Sequence, residues 1–150
     1  MNTLSVRNQQ RAHRIASREF KKAATIALEQ LFNAPSYHLS VAFVSAKRMA
    51  EVNEAHLQHE GPTDIITFDY SETGVLDGEL LICPAVAAEY SQRYNVSLGR
   101  ELARYFIHGV LHLQGHDDHA PDDRRRMKQE ENRLLNRLAK RFPVDNLAHG

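Results

Sequence analysis

The chain has 150 residues, of which 42% are hydrophobic and 25% charged, with equal numbers of acidic and basic groups, so wholesale non-specific nucleic-acid binding is disfavoured. That length predicts one domain over residues 1–150, able to bury about two-thirds of its unfolded surface. The one cysteine, Cys83, excludes an internal disulfide framework and a cysteine-rich zinc site; no run approaches the roughly 20 apolar residues of a membrane helix, and residues 1–7 show no apolar signal core, so a cytoplasmic protein is expected.

In chain order, residues 3–7 alternate weakly and read as a first strand. Residues 17–32 place Phe20, Ala24, Ala27, Leu28 and Leu31 at helical spacing, with Pro35 closing the helix. Residues 38–44 alternate apolar Leu39, Val41 and Phe43 with their neighbours, the period of a strand. Ser45 is placed as N-cap of a helix over residues 46–57. Residues 63–70 form a β-rich run, residues 72–78 carry turn chemistry, and residues 79–83 make the next strand, predicting an antiparallel pair.

Pro84 opens a helix to Tyr94, because proline is tolerated in a first turn. Ser97 caps the next helix, with Glu101 in its acidic first turn, and Gly115 is positioned to end it in a left-handed conformation. A last helix runs from Pro121 to about Phe142, with Met127, Leu134, Leu135 and Leu138 as its apolar stripe. Helices interleaved with strands predict an α/β fold: a mixed sheet of about four strands with helices packed on it. Residues 1–30 and 100–141 lean basic around an acidic middle, a pattern that solvated helix faces also produce.

Histidine is the outlier. Four of the nine, His108, His112, His116 and His119, fall in one short segment. Residues four apart share a helix face, so His108 and His112 can hold one ion, and neutral imidazole is a common metal ligand. Leu102, Phe106, Val110 and Leu113 form one apolar stripe of the same helix, and Ile107 and Leu111 widen it. The helix is therefore central, and buried imidazoles there need partners. In metzincin zinc proteases a third ligand follows a glycine turn, ten residues after the first histidine. That count lands on Asp118, with His119 next and His116 third. The same pattern requires a glutamate after the first histidine as general base, and here that position is Gly109, which removes ordinary protease chemistry.

The segment from His108 to Asp118 resembles the signature of the YbeY family, His-Gly-x-Leu-His-Leu-x-Gly-Tyr-Asp-His, with His116 in place of the tyrosine and Asp118 at the third histidine. Upstream, Val52-Asn53, Pro62-Thr63-Asp64-Ile65-Ile66-Thr67-Phe68 and Gly78-Glu79 follow the family's order, so the likeness spans roughly residues 37 to 138. The family's usual arginine falls on Leu57, leaving His59 or a basic residue elsewhere to cover its role.

The resemblance implies a mixed α/β fold with one zinc ion per chain in a cleft, held by His108, His112 and Asp118, or His119 in its place. It implies a single-strand-specific endoribonuclease working on ribosomal RNA and the small ribosomal subunit, in maturation of the small-subunit RNA 3′ end and in ribosome quality control. Three protein ligands would leave one position for water. Metal-bound hydroxide itself, or Asp117 or His116, then becomes the candidate for handling the proton, Thr63 and Asp64 for lining the cleft, and Arg104 with Arg100 for holding the RNA backbone. Two other readings stand beside this one: a metal-bearing assembly factor that does not cut RNA, and a metal-dependent hydrolase of small substrates.

Overall fold

The computed structural model describes residues 2–57, 64–72, 75–116 and 119–149, with residues 56 and 57 as backbone only. Strand β1 (Thr3–Asn8) is followed by a short β2 (Arg14–Ile15) and helix α1 (Ser17–Ile26). Then come β3 (Tyr37–Phe43), α2 (Ala46–Leu57), β4 (Ile65–Asp69), β5 (Leu76–Ile82), α3 (Pro84–Tyr94), α4 (Leu98–Leu113), α5 (Pro121–Arg141) and β6 (Ala148–His149). The main sheet has the order β1-β3-β5-β4. The first three strands are parallel, and β4 lies antiparallel to β5 at one edge. Parallel neighbours need crossovers, supplied here by α1 between β1 and β3 and by α2 with β4 between β3 and β5. The predicted mixed four-strand sheet and its antiparallel pair are therefore present.

Two local expectations need correction, and one small sheet leaves no signal in the sequence. The first helix does not run unbroken to residue 32: α1 ends at Ile26 and a wider π turn follows over Ala27–Leu31. The Phe32 N–H donates to the carbonyl of Ala27, five residues back, and Asn33 in the left-handed region ends the turn. β5 starts at Leu76, earlier than expected, because parallel pairing with β3 in the register Tyr37↔Leu76 draws the glycine-bearing approach into the sheet. Residues 14–15 and 148–149 form a second, two-stranded sheet near the ends of the chain, too short to leave a periodic signal.

The core lies between one face of the sheet and α4. Leu102, Phe106, Ile107, Val110 and Leu111 are buried against Val41, Phe43, Leu80 and Ile82, and Phe20 of α1 packs edge-on to both Phe43 and Phe106. Met127, Leu134, Leu135 and Leu138 bring α5 onto the same core. A smaller cluster under α2 holds Met49, Val52, Ile66 and the buried Cys83 thiol. No helix among the described residues is long and apolar enough to cross a membrane.

Candidate metal centre

α4 carries the two central histidines, and its ends are fixed by local chemistry. The Ser97 hydroxyl accepts from the Arg100 N–H at 3.0 Å, satisfying an orphan donor of the first turn. At the other end Gly115 takes a φ of +94°, which glycine adopts without strain. Its N–H donates to the His112 carbonyl and the His116 N–H to the Leu111 carbonyl, the paired bonds of a Schellman turn. The chain therefore leaves α4 sharply, just after the second histidine.

Gly109 has a packing reason to be glycine. A Cβ there would lie 2.8 Å from Leu80 Cδ2 and 3.0 Å from Ile65 Cδ1. The helix sits so close to β4 and β5 that a side chain at this position would have to displace the Leu80 and Ile65 methyls. The position at which the protease pattern has its glutamate here faces the Leu80 and Ile65 side chains.

His108 and His112 do turn toward each other. Their Nε2 atoms are 3.1 Å apart, with ring planes at 73°. His108 Nδ1 lies 2.8 Å from Glu131 Oε2 on α5. The Glu131 side chain is also bonded by Arg104, whose Nη1 donates to Oε1 at 3.0 Å, and Lys128 stands 3.8 Å from that same oxygen. Burial works against the charge on Glu131, but the hydrogen bonds to His108 and Arg104 outweigh it and hold the carboxyl below its ordinary range. An ionised Glu131 accepts a hydrogen bond, so His108 carries its proton on Nδ1 and its Nε2 lone pair faces His112.

This donor set fits a zinc ion. Two imidazole nitrogens at about 2.0–2.1 Å from a tetrahedral zinc stand about 3.3 Å apart, close to the separation seen between His108 and His112. A carboxylate behind a ligating imidazole is the usual supporting group of such sites. Among the described residues no group of three histidine, cysteine or acidic side chains is gathered for a metal. Asp117 and Asp118 lie outside the described residues, as do Thr63, His59 and the side chain of Leu57. His119 is exposed on the approach to α5, while His116 lines a separate groove with Phe32, Ser71 and Gln114.

A cleft of about 520 Å³ opens beside His108, between α3, α4, α5 and the start of β4. Asp64 and Arg104, both expected near the site, line it with His108. Asp64 is half-buried and its Oδ1 accepts from the Ile65 N–H at 2.7 Å, which shapes the entry to β4. Arg100 is directed elsewhere, donating to Asn136 at 2.8 Å. Two buried acids of this region, Glu131 and Glu101, were not anticipated as part of the site. Glu131 sits at inward spacing between Met127 and Leu134, and an acid on an apolar stripe is the signal that could have revealed it. Glu101 is only 3% exposed, so it is more than an acidic residue in a helix's first turn. Burial pushes its carboxyl up, against the pull of Arg104 and Lys128.

Residues 5–139 match the family described as Endoribonuclease YbeY. The chain belongs to that family. Membership places it among the nucleases, which are hydrolytic enzymes. An endoribonuclease YbeY from Chlorobium luteolum is 42% identical over 100 residues, covering 67% of this chain and 73% of the relative. One from Bacteroides fragilis is 38% identical over 117 residues, covering 78% and 81%. In fold, the chain is similar to the solution structure of TM1509 from Thermotoga maritima, with a TM-score of 0.69 at 23% identity over 93% of this chain and 91% of that one.

Proposed function

We propose that this YbeY-family protein is a zinc-dependent endoribonuclease that cuts single-stranded ribosomal RNA in the cytoplasm, acting in maturation of the small-subunit RNA 3′ end and in ribosome quality control. The observation that carries the metal part of this reading is the His108–His112 pair, Nε2 facing Nε2, backed by a charged, buried Glu131. The family carries the substrate class.

In this reading His108 and His112 hold the ion with a third donor from Asp118, or from His119 in its place. When bound, the ion supplies a Lewis acid that activates water and offsets the charge developing on a phosphodiester. Glu131 keeps the His108 imidazole in one tautomer and one orientation. Arg104, held by Glu131 and by the Asn132 Oδ1 at 2.7 Å, brings a positive charge to the wall where the RNA backbone would pass. With Gly109 unable to carry a base, proton transfer falls to Asp117, beside the third donor in sequence.

The test is cleavage of purified small-subunit ribosomal RNA precursor by the pure, zinc-loaded protein and by the His108→Ala/His112→Ala variant. Site-restricted cuts made by the first and absent from the second are expected. Equal traces of cleavage in both preparations would point to contamination and leave a binding factor that does not cut. Turnover of small esters or peptides with RNA left intact would instead support a general metal-dependent hydrolase.

A further inference from the structure

The cleft beside His108 has more chemistry than a phosphate alone requires. Much of its lining is apolar, with Met127 buried and Ile65 half-buried beside the buried Glu101 and Glu131, while Arg124 and Lys128 stand exposed at its α5 rim. A bare phosphate asks for donors and cations, not for an apolar lining. Apolar walls with a few polar groups mark pockets for ring systems, and the volume of about 520 Å³ falls in the range of such pockets. On the α3 side the wall is Tyr90, which is 38% exposed. Tyr94, one helical turn on and 56% exposed, packs against Tyr90 with ring centroids 4.4 Å apart. Two neighbouring exposed aromatics on one helix, beside a cationic rim, match the composition of single-stranded nucleic-acid platforms.

We infer that this cleft is a nucleobase subsite: Tyr90, supported by Tyr94, stacks on one unpaired base of the RNA, and the adjoining backbone phosphate lies at Arg124 and Lys128. The inference rests on the endoribonuclease reading and adds to it the residue that reads the strand. A base inside a duplex is stacked and paired, so it is not free to enter the cleft; an unpaired base is. Because His108 lines the same cleft, the seated base lies next to the bond to be cut. Preference for single strands then comes from this pocket and not from the histidine pair.

The chain has no tryptophan, so Tyr90→Trp introduces a sole indole reporter. Binding of a short single-stranded oligoribonucleotide and of its duplex is followed by anisotropy in the zinc-free protein, where cleavage does not interfere. Tyr90→Ala is expected to weaken single-strand binding about ten-fold while leaving duplex binding unchanged. Tyr90→Trp is expected to restore the affinity, with indole emission quenched as the base stacks. Tyr70→Ala, at a tyrosine 55% exposed and outside this cleft, is the control and should bind as the parent does. Unchanged single-strand binding by Tyr90→Ala, or binding by Tyr90→Trp without quenching, would overturn the subsite. No single-strand binding by the parent protein would overturn it too. If the subsite behaves as expected but no variant with an intact histidine pair cuts RNA, the endoribonuclease reading fails by itself.

Discussion

Glu131 reaches from α5 to His108 on α4 and holds its Nδ1 at 2.8 Å, so a residue 23 positions away sets which nitrogen of the central imidazole faces His112. Removing such a supporting carboxylate commonly costs about 10–100-fold in metal affinity. Glu131→Ala should weaken zinc binding by that amount in a competition titration against a coloured chelator. Glu131→Gln, which keeps a hydrogen-bonding group but loses the charge, should fall between the two. Unfolding of the zinc-free proteins separates positioning from folding. If both variants lose affinity only in proportion to lost stability, Glu131 is a structural residue and not a positioning one.

Gly109 offers a test of the packing argument. Alanine there gains helix propensity worth about 1 kcal/mol but pushes its methyl into Leu80 and Ile65, and overpacking of a filled core costs about 1–3 kcal/mol. Gly109→Ala should therefore lower stability by about 1 kcal/mol net, read from the urea midpoint. Gly109→Glu, the substitution that would restore a protease-like base, should cost several kcal/mol, because it forces a carboxylate against apolar side chains. A Gly109→Glu protein as stable as the parent would mean that α4 is not pressed on the sheet as described.

Much of this layout could be read beforehand, and the reasons differ by element. Pro84, Ser97 and Gly115 work through local backbone chemistry, so the limits of α3 and α4 followed from single residues. His108 and His112 were legible because helical spacing alone places them on one face. The start of β5 is not legible in the sequence, because Leu76, Asp77 and Gly78 look like a turn in isolation, and only the neighbouring β3 makes them strand. Pairing of β2 with β6 joins opposite ends of the chain, a contact that no window of sequence contains. Glu131 is hard to recognise because a charged residue on a long, highly charged helix reads as solvated, although its neighbours on the stripe point inward.

Glu101 gives a pH signature. Its carboxyl is pushed above the ordinary 4.5 by burial, with Arg104 and Lys128 opposing. A group with a raised folded pKa contributes stability that is fully present below its unfolded value and is lost as pH rises through the folded value. As pH rises toward neutral, the charge that burial disfavours on Glu101 therefore becomes a net cost. Glu101→Gln should be more stable than the parent at pH 7, and the gap should close as pH falls toward 4.5. Urea unfolding across that interval measures both. A variant less stable than the parent at pH 7 would mean that the ion pair with Arg104, 4.0 Å away, outweighs the burial of the charge.

Metal binding should appear in stability before any activity is assayed. A ligand that binds only the folded state adds about 2.7 kcal/mol at a hundred times its Kd. For a chain of this size each kcal/mol moves Tm by about 2–4 °C, so saturating zinc should raise Tm by about 5–10 °C and excess chelator should reverse it. His108→Ala/His112→Ala should abolish the shift, and its zinc-free Tm should fall modestly because Glu131 loses the imidazole that helps hold its buried charge. The nine histidines make a control necessary, because zinc can also gather on surface imidazoles and on the unfolded chain. Surface binding would survive the double substitution, and binding to unfolded chains would lower Tm. Only a rise that needs both His108 and His112 assigns the ion to the turn of α4 where their Nε2 atoms meet.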